Sequence, residues 1–230
     1  MDTATLATLA PRGPPTLPST GIYTACYCEE NIYLLCRSFS EIQSVSSSFD
    51  QFVMFISNHT KTVALWRQKL AKEEDDPVVW DYHVILVLRE RKGEAEPPVK
   101  SWVYDFDSTL AMPCPLELYV IETFRPVNPV YESLFRVVPG STFLEEFASD
   151  RSHMLVPAEE GLESSYSALP PTYPPIQGSG AISKSVSNNL MSLFVNMMVE
   201  APLASYGTVS SVEGLLETFG STSRGIVTSV

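Results

Sequence analysis

Cys28 is the residue whose position most favours nucleophilic chemistry. The sequence predicts that it begins the buried face of a helix, because apolar side chains recur there at helical spacing: Cys28, Ile32, Leu35 and Cys36. Helix N-termini present free N–H groups and a partial positive charge, which stabilise a thiolate and lower the pKa of a cysteine. A buried structural thiol is the alternative interpretation of this position, and it is the role expected for Cys36 and Cys114.

A base for Cys28 can be found by elimination, because the chain has three histidines. His59 lies in a polar turn and His153 lies in a polar loop. His83 lies inside residues 78–88, a stretch of β-formers that predicts a central strand covered on both faces. A buried histidine needs a hydrogen-bond partner, since an unpaired polar group inside a protein is costly.

The following strand, predicted over residues 99–106, supplies that partner. If the two strands form a hairpin that is symmetric about Glu94, His83 lies directly opposite Asp105. An aspartate that orients an imidazole, which then takes a thiol proton, prepares a thiolate to attack a carbonyl carbon. A shift of two residues would bring Asp107 to His83 instead. A core His–Asp pair that catalyses nothing fits the same pattern.

The remaining elements predict an α+β fold, an α/β/α sandwich with helices on both faces of a mainly antiparallel sheet. The expected strands cover residues 51–57, 62–66 (paired with 51–57 across a polar turn), 134–138 and 206–209. The expected helices cover residues 113–124, 141–148 and 187–199, with a last helix that follows a capping box at 210–213 and ends at Gly220.

Composition narrows the class of protein. A chain of 230 residues with 44% hydrophobic residues can form one sizeable core. We therefore expect a flexible Pro-rich tail over residues 1–20 and a single catalytic domain over 21–230. The net charge of −12 argues against nucleic acid and anionic membranes as partners. Four cysteines without a predicted signal peptide indicate reduced thiols in the cytosol.

Other chemistry has weaker support in the sequence. Cys26 and Cys28 form a C-x-C pair, but no second pair follows at zinc spacing, so no metal is expected. A Gly-rich phosphate loop is absent from the sequence, and no cofactor is expected. Residues 170–173 read Pro-Pro-Thr-Tyr, which matches the P-P-x-Y peptide that WW-type modules bind. A Pro-rich strap packed on the domain is the alternative interpretation.

Several longer segments resemble the protein N-terminal glutamine amidohydrolase family and occur in the family's order. They are residues 26–32 (Cys-Tyr-Cys-Glu-Glu-Asn-Ile), 55–58, 79–84 (Val-Trp-Asp-Tyr-His-Val), 104–105, 147–154 (Phe-Ala-Ser-Asp-Arg-Ser-His-Met) and 170–174. The chain departs from the family at Tyr33, where tryptophan is usual, at residues 201–207 and over its first twenty residues. These departures concern the pocket wall and C-terminal packing rather than the three catalytic candidates.

The resemblance implies a papain/transglutaminase-like fold with Cys28 as nucleophile, His83 as base and Asp105 as orienting acid. It implies conversion of an N-terminal Gln side chain to Glu with release of ammonia, on proteins and peptides with a free α-amino group. The product would enter the arginylation branch of the N-degron pathway.

Recognition of the substrate α-ammonium requires an anion. The sequence offers Glu30, Asp81 and Asp150 for this role; for Asp150, a salt bridge to Arg151 or a loop cap is the alternative. We expect the oxyanion to face the Cys28 backbone N–H. We also expect a monomer in the cytoplasm, with the nucleus as a second location.

Three rival classes remain open at this point. A cysteine peptidase or transglutaminase would use the same three residues. An adaptor would act through residues 170–173 and would not need Cys28. An inactive structural relative would keep the fold alone.

Overall fold

The computed structural model describes residues 13–19, 21–91, 99–156, 164–198 and 205–221. Its α-helices are α1 Cys28–Glu41, α2 Gln43–Ser46, α3 Leu116–Thr123, α4 Gly140–Glu146, α5 Ser179–Ser183 and α6 Val212–Phe219. Its strands are β1 Phe49–Ser57, β2 Val63–Leu65, β3 Val78–Trp80, β4 His83–Glu90, β5 Ser101–Tyr104, β6 Cys114–Pro115, β7 Leu134–Pro139, β8 Leu155–Val156, β9 Ser165–Tyr166 and β10 Thr208–Ser210. Within these ranges, no helix has the length and apolar character needed to cross a bilayer.

Six strands form the main sheet in the order β10-β7-β1-β4-β5-β6. Every neighbouring pair in it is antiparallel. The two long strands β1 and β4 lie at its centre and are largely buried. The predicted α+β fold with a mainly antiparallel sheet is therefore confirmed.

Apolar cores cover both faces of this sheet, because successive strand residues point to opposite faces. On one face, Val84 and Leu86 of β4 pack in the cluster that contains the buried residues of α1 and α4. On the other face, Ile85 and Val87 pack with residues of α3 and α6. The result is the predicted three-layer α/β/α arrangement.

Helix α1 begins at Cys28, as the sequence predicts. The preceding turn is tied to the helix by Asn31, whose side-chain oxygen accepts from the Thr24 backbone N–H and whose amide donates to the Thr24 carbonyl, both at 2.8 Å. Glu29 and Glu30, in the first turn, are fully buried. The amphipathic pattern alone does not anticipate two buried carboxylates here.

The stretch 78–88 is not one strand, which corrects the prediction. β3 pairs with β2 in a separate two-stranded sheet, so residues 62–66 do not pair with β1 either. The main-sheet strand begins only at His83. Asp81 lies at the break, where its side chain accepts from the Tyr82 backbone N–H at 2.8 Å. The break puts His83 at the end of β4 rather than in its middle.

The hairpin register is also corrected. β4 and β5 pair with Leu86 opposite Tyr104, a slip of two residues that would place His83 level with Asp107. Symmetry about Glu94 was the assumption that failed, and residues 92–98 of the hairpin tip lie outside the described ranges. Strand β5 ends at Tyr104, so the ladder itself does not reach His83.

The helix predicted over 187–199 is reduced to a five-residue π-helical turn, Leu190–Phe194, and Val199 lies outside the described residues. Asn189 explains the difference. Its side chain accepts from the Ala148 backbone N–H at 2.9 Å and donates to the Glu146 carbonyl at 2.7 Å. The segment is thereby fixed to the end of α4, and its apolar residues stay buried or half-buried except for Met198, which is exposed.

The predicted boundary between tail and domain stays a prediction, because residues 1–12 and 20 lie outside the described ranges. The described part, residues 13–19, contacts the domain. The Pro15 carbonyl accepts from the Tyr104 hydroxyl at 2.5 Å, and Leu17 packs against the core beneath α1.

Candidate active site

His83 and Asp105 form a buried pair at the end of β4. His83 Nε2 lies 2.8 Å from Asp105 Oδ1, and both residues are almost completely removed from solvent. An ionised carboxylate only accepts hydrogen bonds, so Nε2 carries the proton and donates. This leaves Nδ1 as the ring nitrogen that can take a proton, and it has no hydrogen-bond partner among the described residues.

Asp105 reaches His83 despite the register slip because the chain turns after β5. The Asp107 backbone N–H donates to Asp105 Oδ1 at 2.9 Å, which fixes the carboxylate at the turn. The other oxygen accepts from the Tyr119 hydroxyl at 2.8 Å and from the Gln68 amide at 3.4 Å. Asp105 is thus held by residues from three separate parts of the chain.

The two pKa shifts of this pair are mutually consistent. Burial raises the pKa of Asp105, but His83 and the hydrogen bonds from Tyr119 and Asp107 outweigh it and bring that pKa below its ordinary value. Burial lowers the pKa of His83, but the Asp105 charge and hydrogen bond outweigh it and raise that pKa. The pair therefore favours an ionised aspartate beside a readily protonated imidazole.

Two other features of the pair bear on its chemistry. The Trp80 ring stacks on the His83 ring with centroids 5.4 Å apart, which restricts the imidazole plane. Donor atoms of His83, Asp105 and Asp107 lie within 4.8 Å of one another, a spacing that a cation could use. A cation on Nε2 would have to replace the hydrogen bond to Asp105, so the geometry present is that of an oriented base.

Cys28 lies at the first residue of α1, in contact with β4. The Val84 backbone N–H faces its sulfur and lowers the thiol pKa, but burial and the Glu29 charge outweigh that effect, so the pKa is raised well above its ordinary value. This net direction is opposite to the one that a helix N-terminus alone favours. The helix N-terminus still leaves the Cys28 N–H without an intrahelical acceptor.

Glu29 is the carboxylate nearest to the thiol. Its Oε2 accepts from the Cys28 thiol at 3.7 Å and from the Tyr82 hydroxyl at 3.0 Å. The same hydroxyl lies 3.1 Å from His153 Nε2. Oε1 of Glu29 lies 3.5 Å from that nitrogen and has no hydrogen-bond partner in the described part of the chain. Sequence reasoning left His153 in a polar loop and did not bring it to Cys28.

Glu30 has a different environment. Its two oxygens accept from Arg151 Nε and Nη2, each at 2.8 Å, in a fully buried bidentate pair. Arg151 also donates to the carbonyls of Pro171 and Tyr173. Both Glu30 oxygens are therefore engaged, and Arg151 pairs with Glu30 rather than with Asp150.

The two other predicted α-ammonium acceptors lie further out and are exposed. Asp81 caps the Tyr82 N–H, as described above. Asp150 accepts from the Ser152 backbone N–H at 2.9 Å and from the Asn188 amide at 2.6 Å, which is the loop-cap arrangement. The role of Glu30, Asp81 and Asp150 in substrate binding stays a prediction, and their present hydrogen bonds give each a structural task.

The Pro-rich segment is packed on the domain. Pro171 is buried, and the Arg151 guanidinium lies over the Tyr173 ring at 5.3 Å. The Ala168 carbonyl accepts from the Tyr27 hydroxyl at 3.2 Å, next to the start of α1. These contacts favour the interpretation of residues 170–173 as a strap packed on the domain. They do not favour the alternative, in which the segment is an exposed P-P-x-Y ligand.

A cysteine at a helix N-terminus that contacts the strand carrying a buried His–Asp pair, on an α/β/α scaffold, is the arrangement of a cysteine hydrolase. The sequence profile of the family described as N-terminal glutamine amidase matches residues 23–219.

Relatives named protein N-terminal glutamine amidohydrolase are similar over most of the chain. One from Arabidopsis thaliana is 43% identical over 170 residues, which cover 72% of this chain and 72% of the relative. One from Danio rerio is 36% identical over 202 residues, covering 86% and 89%. One from Drosophila mojavensis is 40% identical over 157 residues, covering 67% and 71%. The chain belongs to the N-terminal glutamine amidase family.

Proposed function

We propose that this protein hydrolyses the side-chain amide of an N-terminal glutamine in proteins and peptides, producing N-terminal glutamate and ammonia. The observation that carries the proposal is the buried His83–Asp105 pair, in which Nδ1 of His83 has no hydrogen-bond partner among the described residues. His83 begins β4, and the next residue of that strand, Val84, contacts Cys28. Membership of the family supports the reaction and its substrate.

In the first half of the reaction, His83 Nδ1 takes the Cys28 thiol proton, and the thiolate attacks the δ-carbon of the glutamine side chain. The negative charge that develops on the amide oxygen faces the Cys28 backbone N–H at the start of α1. The His83 imidazolium then gives its proton to the departing nitrogen. Ammonia leaves, and a γ-glutamyl thioester with Cys28 remains.

In the second half, His83 removes a proton from water, and the resulting hydroxide attacks the thioester carbonyl. The carbon–sulfur bond breaks, the product carboxylate forms and the proton on His83 returns to Cys28. Asp105 keeps the imidazole in the tautomer that presents Nδ1 throughout. No metal or other cofactor takes part in these steps.

The substrates, pathway and location that we propose follow from membership of the family and from the charge of the chain. The substrates are proteins and peptides with a free N-terminal Gln, and the product enters the arginylation branch of the N-degron pathway. We propose a monomer that acts in the cytoplasm, with the nucleus as a second location, and that binds neither nucleic acid nor membranes, consistent with its net charge of −12.

The decisive experiment measures ammonia release from a Gln-starting peptide beside its N-acetylated twin and a peptide with an internal Gln. We expect release from the first peptide and at least a ~10²-fold lower kcat/KM for the other two, since each 1.4 kcal/mol changes a rate tenfold. Cys28→Ala should abolish release, whereas Cys26→Ala, which removes an exposed thiol two residues away, should retain it.

Two outcomes would overturn the proposal. Comparable rates on all three peptides, or cross-linked products in the presence of an amine, would indicate a general glutaminyl deamidase or a transglutaminase. Full activity of Cys28→Ala would remove the thiol from the mechanism.

A further inference from the structure

The site contains one buried carboxylate that the proposed mechanism does not use. Glu29 is fully removed from solvent. A buried charge is stable only when it is paired and hydrogen-bonded. Its Oε2 is satisfied by Tyr82, whereas Oε1 is the one carboxylate oxygen in the described ranges that is buried without a hydrogen bond.

His153 does not donate a hydrogen bond to Oε1. The single proton of the Tyr82 hydroxyl goes to Glu29, so the hydroxyl oxygen accepts from His153 Nε2. With its Nε2–H directed at Tyr82, His153 lies 3.5 Å from Glu29 Oε1 without bonding it. The arrangement holds the carboxylate in place from one side and leaves one acceptor oxygen open.

From this geometry we infer that Glu29 Oε1 is the acceptor for the substrate α-ammonium. The inference rests on the proposed function and adds its specificity-determining residue. The α-nitrogen of glutamine is separated from the attacked δ-carbon by three carbons, about 5 Å at most from standard bond lengths. A carboxylate whose Oε2 lies 3.7 Å from Cys28 Sγ is therefore within hydrogen-bond reach of an ammonium on a substrate positioned for attack.

The other acids near Cys28 are less suited to this task. Asp105 is occupied by His83, Tyr119 and Gln68. Asp107 Oδ1 accepts from the Tyr23 hydroxyl at 2.5 Å.

The position of Glu29 also couples recognition to chemistry. In the free protein its charge is the largest electrostatic opponent of a Cys28 thiolate, after burial itself. A bound ammonium neutralises that charge, which makes transfer of the thiol proton to His83 easier once the correct substrate is present. Substrates without an α-ammonium should therefore lose kcat as well as affinity.

The test compares two probes in wild type and variants: a Gln-starting peptide, and the same peptide with 4-carbamoylbutanoyl in place of Gln, which lacks only the α-amino group. Wild type should prefer the first by at least about tenfold in kcat/KM, the effect of one charge-assisted hydrogen bond. Glu29→Gln keeps the shape and the bond to Tyr82. It should reduce the ratio to near one, because it removes the acceptor for the ammonium of the Gln-starting peptide, whereas the probe without an α-amino group loses no contact and no longer reacts against the Glu29 charge. Asp107→Asn, the matched control, should keep the wild-type ratio.

Each outcome has one meaning. An equal loss on both probes in Glu29→Gln would make Glu29 a positioning residue and overturn the inference, as would a ratio that collapses in Asp107→Asn instead. Wild type that releases no ammonia from the Gln-starting peptide would overturn the proposed function itself. If Glu29→Gln does not fold by circular dichroism, Glu29→Asp retracts the carboxylate by one methylene group, and an unchanged ratio in that variant would overturn the inference.

Discussion

The carboxylates of Asp105 and Glu29, at opposite ends of the candidate site, differ in how many of their hydrogen-bonding positions are occupied. Asp105 accepts hydrogen bonds from His83, Tyr119, Gln68 and the Asp107 backbone, so nothing remains for a ligand to satisfy. Glu29, at the other end, is equally buried but keeps one oxygen free. A fully satisfied carboxylate orients a neighbour, whereas a buried and half-satisfied one has capacity left for a cationic group.

Glu30 belongs with Asp105 in this comparison, although it adjoins Glu29 on the same helical turn. Its bidentate pair with Arg151 connects α1 to the loop after α4 and to the Pro-rich strap. Adjacent glutamates with the same burial thus have different tasks, which the contacts of each oxygen decide.

The largest expected effect on activity comes from Asp105, the carboxylate whose hydrogen bonds are all made. Asp105→Asn should lower turnover of a Gln-starting peptide by ~10⁴-fold, because an amide can donate to His83 and favour the wrong tautomer. Steady-state ammonia release measures this loss. Asp107→Asn, two residues away, should cost far less. Similar losses in the two variants would mean that Asp105 is not the residue that orients His83.

A smaller effect, on the stability of the protein, distinguishes Glu30 from Glu29. Glu30→Gln leaves the Arg151 guanidinium buried without its counter-ion and should lower the free energy of unfolding by ~3–5 kcal/mol. Glu29→Gln leaves no arginine or lysine without its counter-ion and keeps an acceptor for the Tyr82 hydroxyl, so it should stay within ~1 kcal/mol of wild type. Urea denaturation followed by circular dichroism gives both values.

Glu74→Gln is the control for the Glu30 variant, because its ion pair with Arg67 has an 86% exposed carboxylate and should contribute less than ~1 kcal/mol. If Glu30→Gln lowered the free energy of unfolding no more than Glu74→Gln does, the Glu30–Arg151 pair would not be what stabilises the attachment of the Pro-rich strap.

The smallest effect concerns pH. His83 must be neutral to take the thiol proton, and Asp105 raises its pKa above the ordinary 6.5, so the acid limb of the kcat/KM profile should lie above pH 6.5. Tyr119→Phe removes a dipole whose positive end faces Asp105. The His83 pKa should then rise further, and the acid limb should move to higher pH by less than about one unit. A shift to lower pH would contradict the assigned contacts.

The sequence alone determined the local features of the site. Helical spacing identified the start of α1 at Cys28, and long motifs identified the family. The capping box placed the start of α6 to within one residue, since the observed cap is Ser211, which accepts from Gly214 N–H at 3.3 Å, rather than Ser210. His83 and Asp105 were also paired correctly, but through a hairpin register that is wrong by two residues. The chain turns after β5, and no local pattern records that turn.

Only the tertiary structure decided which carboxylates are free. Glu30 and Arg151 are 121 residues apart, and Tyr82 and His153 are 71 residues apart. Whether such groups meet depends on how loops close and layers pack, whereas the period of a helix or the residue at its cap is set by neighbours in the chain. For the same reason Glu29 and Glu30, adjacent residues of the same type, have different partners, Tyr82 and Arg151, that only the tertiary fold brings to the first turn of α1.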